Sequence, residues 1–153
     1  MTTRMIKGIE ELRTLVGQQI GTSDWVEITQ EQIQTFADAT GDHQWIHCDR
    51  DRARRESPYQ DTIAHGFLTL SLGPGLAQQI SMVEGVKLGV NYGLNRVRFP
   101  NAVKVGSRVR MISELIHMKE KEETATLTYK QTFEIEGQEK PACVAEMIAR
   151  LYF

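Results

Sequence analysis

Residues 66–80 read Gly-Phe-Leu-Thr-Leu-Ser-Leu-Gly-Pro-Gly-Leu-Ala-Gln-Gln-Ile, a stretch that contains no charged side chain. A helix that is apolar on most sides must be buried nearly all round, so this segment predicts one long buried helix. Gly73-Pro74-Gly75 should kink this helix or end its first half, because proline lacks a backbone donor and clashes with the preceding turn.

The C-terminal half shows the period-2 pattern of β-strands. Between residues 124 and 135 apolar and polar residues alternate, as they do in a half-buried antiparallel strand. Similar β-rich segments cover residues 86–99, 107–118 and 142–152. Helices followed by a meander of strands indicate an α+β fold, in which a curved antiparallel sheet wraps around the buried helix.

Another helix is predicted in the N-terminal half of the chain. Thr29 is a good N-cap residue, and Gln32 three positions later completes a capping box. Gly41 is a natural end for this helix, because glycine readily adopts the left-handed conformation found at helix C-termini. A short helix over residues 9–16 and a brief strand over residues 24–28 are expected before it.

Length and composition restrict the class of protein. A chain of 153 residues fits a single domain, residues 1–153, with its own core. The net charge of −2 argues against a nucleic-acid-binding protein, which usually carries a basic excess on one face. Without a run of about 18 apolar residues or an N-terminal apolar stretch, we expect neither a membrane span nor a signal peptide, and the cytoplasm is the default location. Cys48 and Cys143 form no CxxC pair, which disfavours a disulfide framework and a cysteine zinc site.

Two short motifs carry the chemistry that the sequence suggests. Residues 36–47 read Phe-Ala-Asp-Ala-Thr-Gly-Asp-His-Gln-Trp-Ile-His and place Asp42 and His47 in a loop just past the predicted helix. Such a loop can fold an acid and a base onto one reacting atom. His65-Gly66 opens the apolar helix, where unpaired N–H groups and the positive end of the helix dipole suit an oxyanion. Together the motifs indicate a small acid–base enzyme.

Each of these residues also has a simpler interpretation. Asp42 after a glycine could be a turn former, and His47 could be a structural histidine with a satisfied hydrogen bond. His43, His47 and His65 with Asp42 could instead form a metal site, although their spacing matches no zinc motif, and we expect no metal.

Several stretches resemble the MaoC-like dehydratases, the family that includes (R)-specific enoyl-CoA hydratases. They are Ala-Thr-Gly-Asp-His-Gln-Trp-Ile-His, Thr-Ile-Ala-His-Gly-Phe and Asn-Tyr-Gly-Leu-Asn-Arg-Val-Arg-Phe-Pro, and they are most similar to the nodulation protein N-like branch. Mycobacterial 3-hydroxyacyl-thioester dehydratases resemble the same branch. The resemblance runs from about residue 20 to the C-terminus and implies a hotdog fold that forms a homodimer.

The resemblance also implies a reaction, the reversible hydration of trans-2-enoyl-CoA to (R)-3-hydroxyacyl-CoA. Asp42 and His47 are then expected to hold the water and handle both protons, while the N–H of Gly66 faces the thioester carbonyl. The substrate is an acyl-CoA or acyl-carrier thioester, and no metal or redox cofactor is required. Substrate contacts are expected from four further residues: Gln44, Trp45, His65 and Arg96.

One departure from the family pattern concerns the loop between the two candidate catalytic residues. The commoner loop is Asp-x-Asn-Pro-aliphatic-His, and here Gln44-Trp45 stands where Asn-Pro would be. Proline fixes φ and removes a donor, whereas tryptophan does neither and adds a large wall to a pocket. Two alternatives to a hydro-lyase remain open: a hotdog acyl-CoA thioesterase and a non-catalytic acyl-CoA-binding protein.

Overall fold

The computed structural model describes residues 2–153, over which six helices and eight strands follow one another. The strands are β1 (Arg4–Ile6), β2 (Gln18–Thr22), β3 (Val26–Glu27), β4 (Ser81–Val83), β5 (Leu88–Arg98), β6 (Arg108–Lys121), β7 (Thr124–Ile135) and β8 (Cys143–Tyr152). The helices are α1 (Gly8–Thr14), α2 (Gln30–Thr40), α3 (Trp45–Cys48), α4 (Arg50–Glu56), α5 (Gly66–Ser71) and α6 (Gly73–Ile80).

The main sheet is antiparallel and has the strand order β2-β6-β7-β8-β5, with β3 also paired to β6. The register places Phe133 of β7 opposite Met111 on β6 and Cys143 on β8, and all three side chains are buried. The four long strands confirm the strands expected from the sequence. β1 pairs with β4 in a separate parallel ladder, and neither of these three-residue strands was predicted.

The central helix runs as two consecutive segments, α5 and α6, with Pro74 in the first turn of α6. This break confirms the effect expected of Gly73-Pro74-Gly75. Gly73 lets the helix approach the sheet, because a Cβ at this position would lie 3.1 Å from Oε1 of Gln131 and 3.3 Å from Cζ of Phe133. The core forms where this helix meets the sheet.

Burial of the central helix is one-sided, which corrects the expectation that most of its surface is covered. The sides of α5 and α6 that face the sheet bury Leu68, Thr69, Leu76 and Ile80. On the other side Phe67 is 67% exposed. The Phe67 ring meets the Phe99 ring at an angle, with centroids 5.8 Å apart, and most of its apolar surface stays uncovered within residues 2–153.

Helix α2 ends where the first sequence motif begins. Its capping box is formed as expected, because Thr29 Oγ1 accepts the Gln32 N–H and the Gln32 side chain accepts the Thr29 N–H, both at 3.2 Å. The helix stops at Gly41, whose φ of 82° is left-handed and whose N–H donates to Ala37 O at 2.8 Å. This defined end places Asp42 immediately after the last turn.

The six helices described over residues 2–153 are all too short, or too polar, to cross a lipid bilayer.

Candidate active site

Asp42 and His47 lie on either side of a tight turn. The Asp42 side chain accepts the Gln44 N–H at 3.3 Å and remains 56% exposed. Directly after it, the chain forms α3, a four-residue helical turn where the sequence suggested an irregular loop. This turn brings His47 back beside Asp42, so that ligand atoms of the two side chains lie within 4.8 Å of each other.

His47 is buried and held in one tautomer. Its Nδ1 lies 2.6 Å from the carbonyl oxygen of Ile63, and since a carbonyl can only accept, Nδ1 carries the proton. In the neutral ring Nε2 then has a free lone pair, which is the requirement for a general base. Burial lowers the pKa of His47, because desolvation penalises the charged ring, and so favours the neutral base near pH 7.

His65 connects the two motifs. Its Nε2–H donates to the backbone carbonyl of Asp42 at 2.9 Å, and its ring stacks on His47 with centroids 3.8 Å apart. The Phe36 ring of α2 also packs against the His65 ring, with centroids 4.9 Å apart and the ring planes inclined by 53°. His65 Nδ1 is buried and has no hydrogen-bond partner in the described chain. The ring therefore fixes the position of the Asp42 loop relative to His47.

Asp42, His47 and His65 can also be considered as ligands of a metal ion. Asp42, His47 and His65 each offer a ligand atom within 4.8 Å of the others, whereas His43 pairs with Asp38 instead. The two histidine rings are stacked, with centroids 3.8 Å apart and ring planes inclined by 25°. Nδ1 of one ring and Nε2 of the other are already donors to carbonyls. Each ring therefore keeps one nitrogen with a lone pair, Nε2 of His47 and Nδ1 of His65.

Gly66 presents a free backbone donor next to His47. Gly66 is the first residue of α5, where backbone N–H groups have no partner within the helix. Its N–H donates no hydrogen bond within residues 2–153. The Phe99 ring lies over it, since a Cβ on Gly66 would be 2.9 Å from two ring atoms. His47, Gly66 and Phe99 line one cavity of about 230 Å³. A substrate carbonyl in this cavity could meet a donor and a base together.

Two supports of this arrangement were not found from the sequence. Gln30, in the first turn of α2, donates from Nε2 to the His47 carbonyl at 2.7 Å and accepts from the Thr62 hydroxyl at 2.5 Å. Arg50 of α4 holds Asp61 through two hydrogen bonds, which lowers the pKa of that carboxyl. These contacts join the segment before His65 to α2 and α4. They link residues that are distant in sequence, so no local sequence pattern predicts them.

The remaining predicted contact residues lie farther from the cavity. Gln44 acts through its backbone, and its carbonyl accepts the His47 N–H at 2.9 Å. Trp45 does not line the His47 cavity, and the Arg52 guanidinium covers its ring at 4.3 Å. Arg96 stands opposite Glu146 in the register of β5 and β8 and lines a separate cavity on the opposite face of the sheet. Within one chain neither Trp45 nor Arg96 lines the cavity that His47 and Gly66 share.

The family model, the curated relatives and the solved structures that match this chain agree with one another. A family model described as MaoC like domain matches residues 11–135. The chain is 53% identical over 148 residues to 3-hydroxyacyl-thioester dehydratase Z of Mycobacterium tuberculosis, covering 96% of this chain and 97% of that protein. It is 43% identical to Nodulation protein N of Rhizobium meliloti, over 95% of this chain and 91% of that protein. A solved (R)-hydratase from A. caviae, involved in PHA biosynthesis, superposes with a TM-score of 0.69 at 26% identity, covering 88% and 94% of the two chains.

We predict opposite titration shifts for two histidines of this region. The hydrogen bond with Asp38 raises the pKa of His43, and burial lowers that of His47. Imidazole NMR titration should therefore place His43 above and His47 below the ordinary value of about 6.5. In the Asp38→Asn variant the pKa of His43 should return toward the ordinary value, while the pKa of His47 should not change. A His47 ring that titrates above the ordinary value would contradict the neutral base.

Proposed function

The chain belongs to the MaoC-like domain family, and on this premise we propose that the Asp42–His47 site hydrates trans-2-enoyl thioesters reversibly to (R)-3-hydroxyacyl thioesters. The observation that carries the proposal is the free lone pair on His47 Nε2, beside the Asp42 carboxylate and the free N–H of Gly66. The protein is thus a hydratase and dehydratase, in keeping with the dehydratase name of its mycobacterial relative.

Water is activated between the two side chains. Asp42 accepts one hydrogen of the water molecule, and His47 Nε2 removes the other as the oxygen forms its bond to C3 of the substrate. Electrons of the C2–C3 double bond move onto the thioester oxygen, and the protonated His47 then returns its proton to C2. Dehydration follows the same steps backwards. Every proton is accounted for by these side chains, so the proposed reaction proceeds without a metal or redox cofactor.

Gly66 supplies the third component, a donor for the negative charge that develops on the thioester oxygen. Its N–H stands at the start of α5 and lines the same cavity as His47. A preorganised donor in a site partly closed to water stabilises this charge more strongly than it stabilises the neutral carbonyl. The Phe99 ring over Gly66 restricts access to the donor and forms one wall beside the thioester.

His65 is a positioning residue in this proposal rather than a substrate contact. Its N–H holds the Asp42 carbonyl and its ring packs on His47. Gln44 and Trp45 lie in the turn between Asp42 and His47 and do not line the cavity. Arg96 would meet substrate only if a second subunit brought it there, because it lies on the far face of the sheet within one chain.

The proposed reaction is tested with crotonyl-CoA. Hydration removes the conjugated enoyl-thioester chromophore, so ultraviolet absorbance should fall without any release of free thiol. Release of thiol would instead indicate a thioesterase. Binding of crotonyl-CoA with no loss of absorbance would indicate a non-catalytic acyl-CoA-binding protein, and either result would overturn the proposal.

Removal of the Gly66 donor should abolish most activity. We predict that Gly66→Pro lowers hydration on the order of 10²-fold or more, the usual loss for one oxyanion donor. Proline is tolerated at the first position of a helix, and the ψ of 139° at His65 suits a residue that precedes proline.

Gly66→Ala is the matched control for this loss. Alanine keeps the N–H but adds a Cβ against the Phe99 ring, so both variants crowd Phe99 and their difference reports on the donor. Circular dichroism must first show that both are folded. If folded Gly66→Pro hydrates crotonyl-CoA as fast as Gly66→Ala, the thioester oxygen has another partner.

A homodimer is the proposed assembly. Within residues 2–153 β5 pairs with β8 alone, so the other edge of β5 is open. Leu88, Val90 and Tyr92 on this strand are exposed, as is Phe67 on the neighbouring central helix. A long apolar edge of this kind pairs readily with another strand and usually requires cover.

Light scattering at micromolar concentration should therefore give the mass of a dimer. Val90→Lys places a charge at this edge and should shift the mass toward the monomer. Ile116→Lys replaces another exposed apolar residue, on β6, and should leave the dimer intact. A monomeric wild-type protein would contradict the proposed assembly.

A further inference from the structure

Three polar side chains stand without hydrogen-bond partners between the sheet and the central helix. They are Ser113 on β6 and Tyr129 and Gln131 on β7, with Ser113 directly opposite Gln131 in the register. Ser113 and Gln131 are each 5% exposed, so both are largely removed from bulk water. Throughout residues 2–153 none of these three side chains donates or accepts a hydrogen bond within the chain.

The polar atoms of these side chains still reach solvent through the cavity that they line, so a ligand that fills the cavity must either pair them or leave them without a partner. A buried polar group without a partner is unfavourable for folding, and most buried polar groups in proteins are therefore paired. Burial raises the pKa of Tyr129 to about 12, so its hydroxyl keeps its proton and remains a donor. The carboxamide of Gln131 and the hydroxyl of Ser113 can both donate and accept. Three adjacent groups of this kind provide a site for an oxygen-bearing ligand.

The three side chains line a cavity of about 570 Å³ beside α6. The rest of its wall is mainly apolar, with Ala77, Ile80, Met147 and Leu151 among the lining residues. The volume lies within the range of typical small-molecule sites, and an apolar wall with a few convergent polar groups is their usual composition.

This cavity continues toward the start of the central helix. A second cavity of about 230 Å³ shares Pro74, Asn91, Gln131 and Met147 with the first one and extends to Leu70, one turn beyond Gly66. The two cavities therefore form a groove along α5 and α6 whose near end, at Leu70, is four residues or roughly 6 Å along the helix from Gly66.

Distances along the helix set the length of chain that reaches the polar groups. Gln131 Oε1 lies beside Gly73, 3.1 Å from where a Cβ would stand. Gly73 is seven residues beyond Gly66, or roughly 10 Å at the rise of an α-helix. An extended alkyl chain advances about 1.3 Å per carbon, given C–C bonds of about 1.5 Å. The polar groups are thus reached near the eighth carbon of an acyl chain.

We propose that this groove receives the distal part of the acyl chain, and that Ser113, Tyr129 and Gln131 select chains with a hydroxyl or carbonyl oxygen near the eighth carbon. The inference rests on the proposed hydratase function and names the substrate class of that site. An unsubstituted alkyl chain would leave all three polar groups unpaired, whereas an oxygenated chain pairs them. The groove is thereby a selective site for oxygenated acyl thioesters.

The test compares trans-2-octenoyl-CoA with its 8-hydroxy derivative, using crotonyl-CoA as a short reference that does not reach Gln131. The wild-type protein should show a higher kcat/KM for the hydroxylated chain. Gln131→Met keeps the side-chain length and removes its hydrogen bonds, and should lower the ratio of hydroxylated to plain substrate about tenfold. Tyr129→Phe and Ser113→Ala should change the ratio in the same direction, and they replace Gln131→Met if that variant does not fold.

Thr132→Val is the matched control, since Thr132 is the next residue on β7 and points to the opposite face of the sheet. It should leave the ratio unchanged. A wild-type preference for the plain chain, with a ratio that none of the three groove variants alters, would overturn the inference while hydration of crotonyl-CoA stood. Absence of crotonyl-CoA hydration would instead defeat the proposed function, and the inference with it.

Discussion

The hydrogen bond from His47 Nδ1 to the Ile63 carbonyl is the contact on which the rest of the site depends. At 2.6 Å it fixes the tautomer of the ring and leaves Nε2 free to accept a proton. It also ties α3 to the extended segment that leads into the central helix, because Ile63 lies three residues before Gly66. The base and the proposed oxyanion donor are thus positioned by one short stretch of backbone.

His65 extends this constraint to the carboxylate. With Nε2 bound to the Asp42 carbonyl and its ring on His47, it links two loops that are distant in sequence. Gln30 adds a second link through the His47 carbonyl. The groups that face the substrate are consequently fixed by backbone carbonyls and by neutral side chains. This leaves the Asp42 carboxylate and the lone pair of His47 Nε2 available for water and substrate.

The sequence predicted the elements whose signal is local. The capping box at Thr29, the end of α2 at Gly41 and the break in the central helix each follow from a few adjacent residues. The four long strands follow from alternation. Three-residue strands such as β1 and β4 carry too few residues for a period and were missed.

The positions of two predicted contacts depended on non-local features. A regular β5 would place Arg96 on the same face as Leu94, but the register shifts between these residues and turns Arg96 to the other face. Trp45 is covered by Arg52, which no pattern in the chain indicates. Likewise, the central helix is buried on one side only, because no other part of the described chain packs against its exposed side. An apolar sequence predicts that a helix is buried but not which element packs against it.

The central claim, that Asp42 and His47 act on a single water molecule, is tested most directly by a double-mutant cycle on crotonyl-CoA hydration. Asp42→Asn and His47→Gln should each lower turnover about 10²–10⁴-fold, the usual range for a general acid–base group. Because neither residue can use the water without the other, the double variant should be about as slow as the slower single variant. Losses that multiply in the double variant would show that the two side chains act independently and would contradict this account.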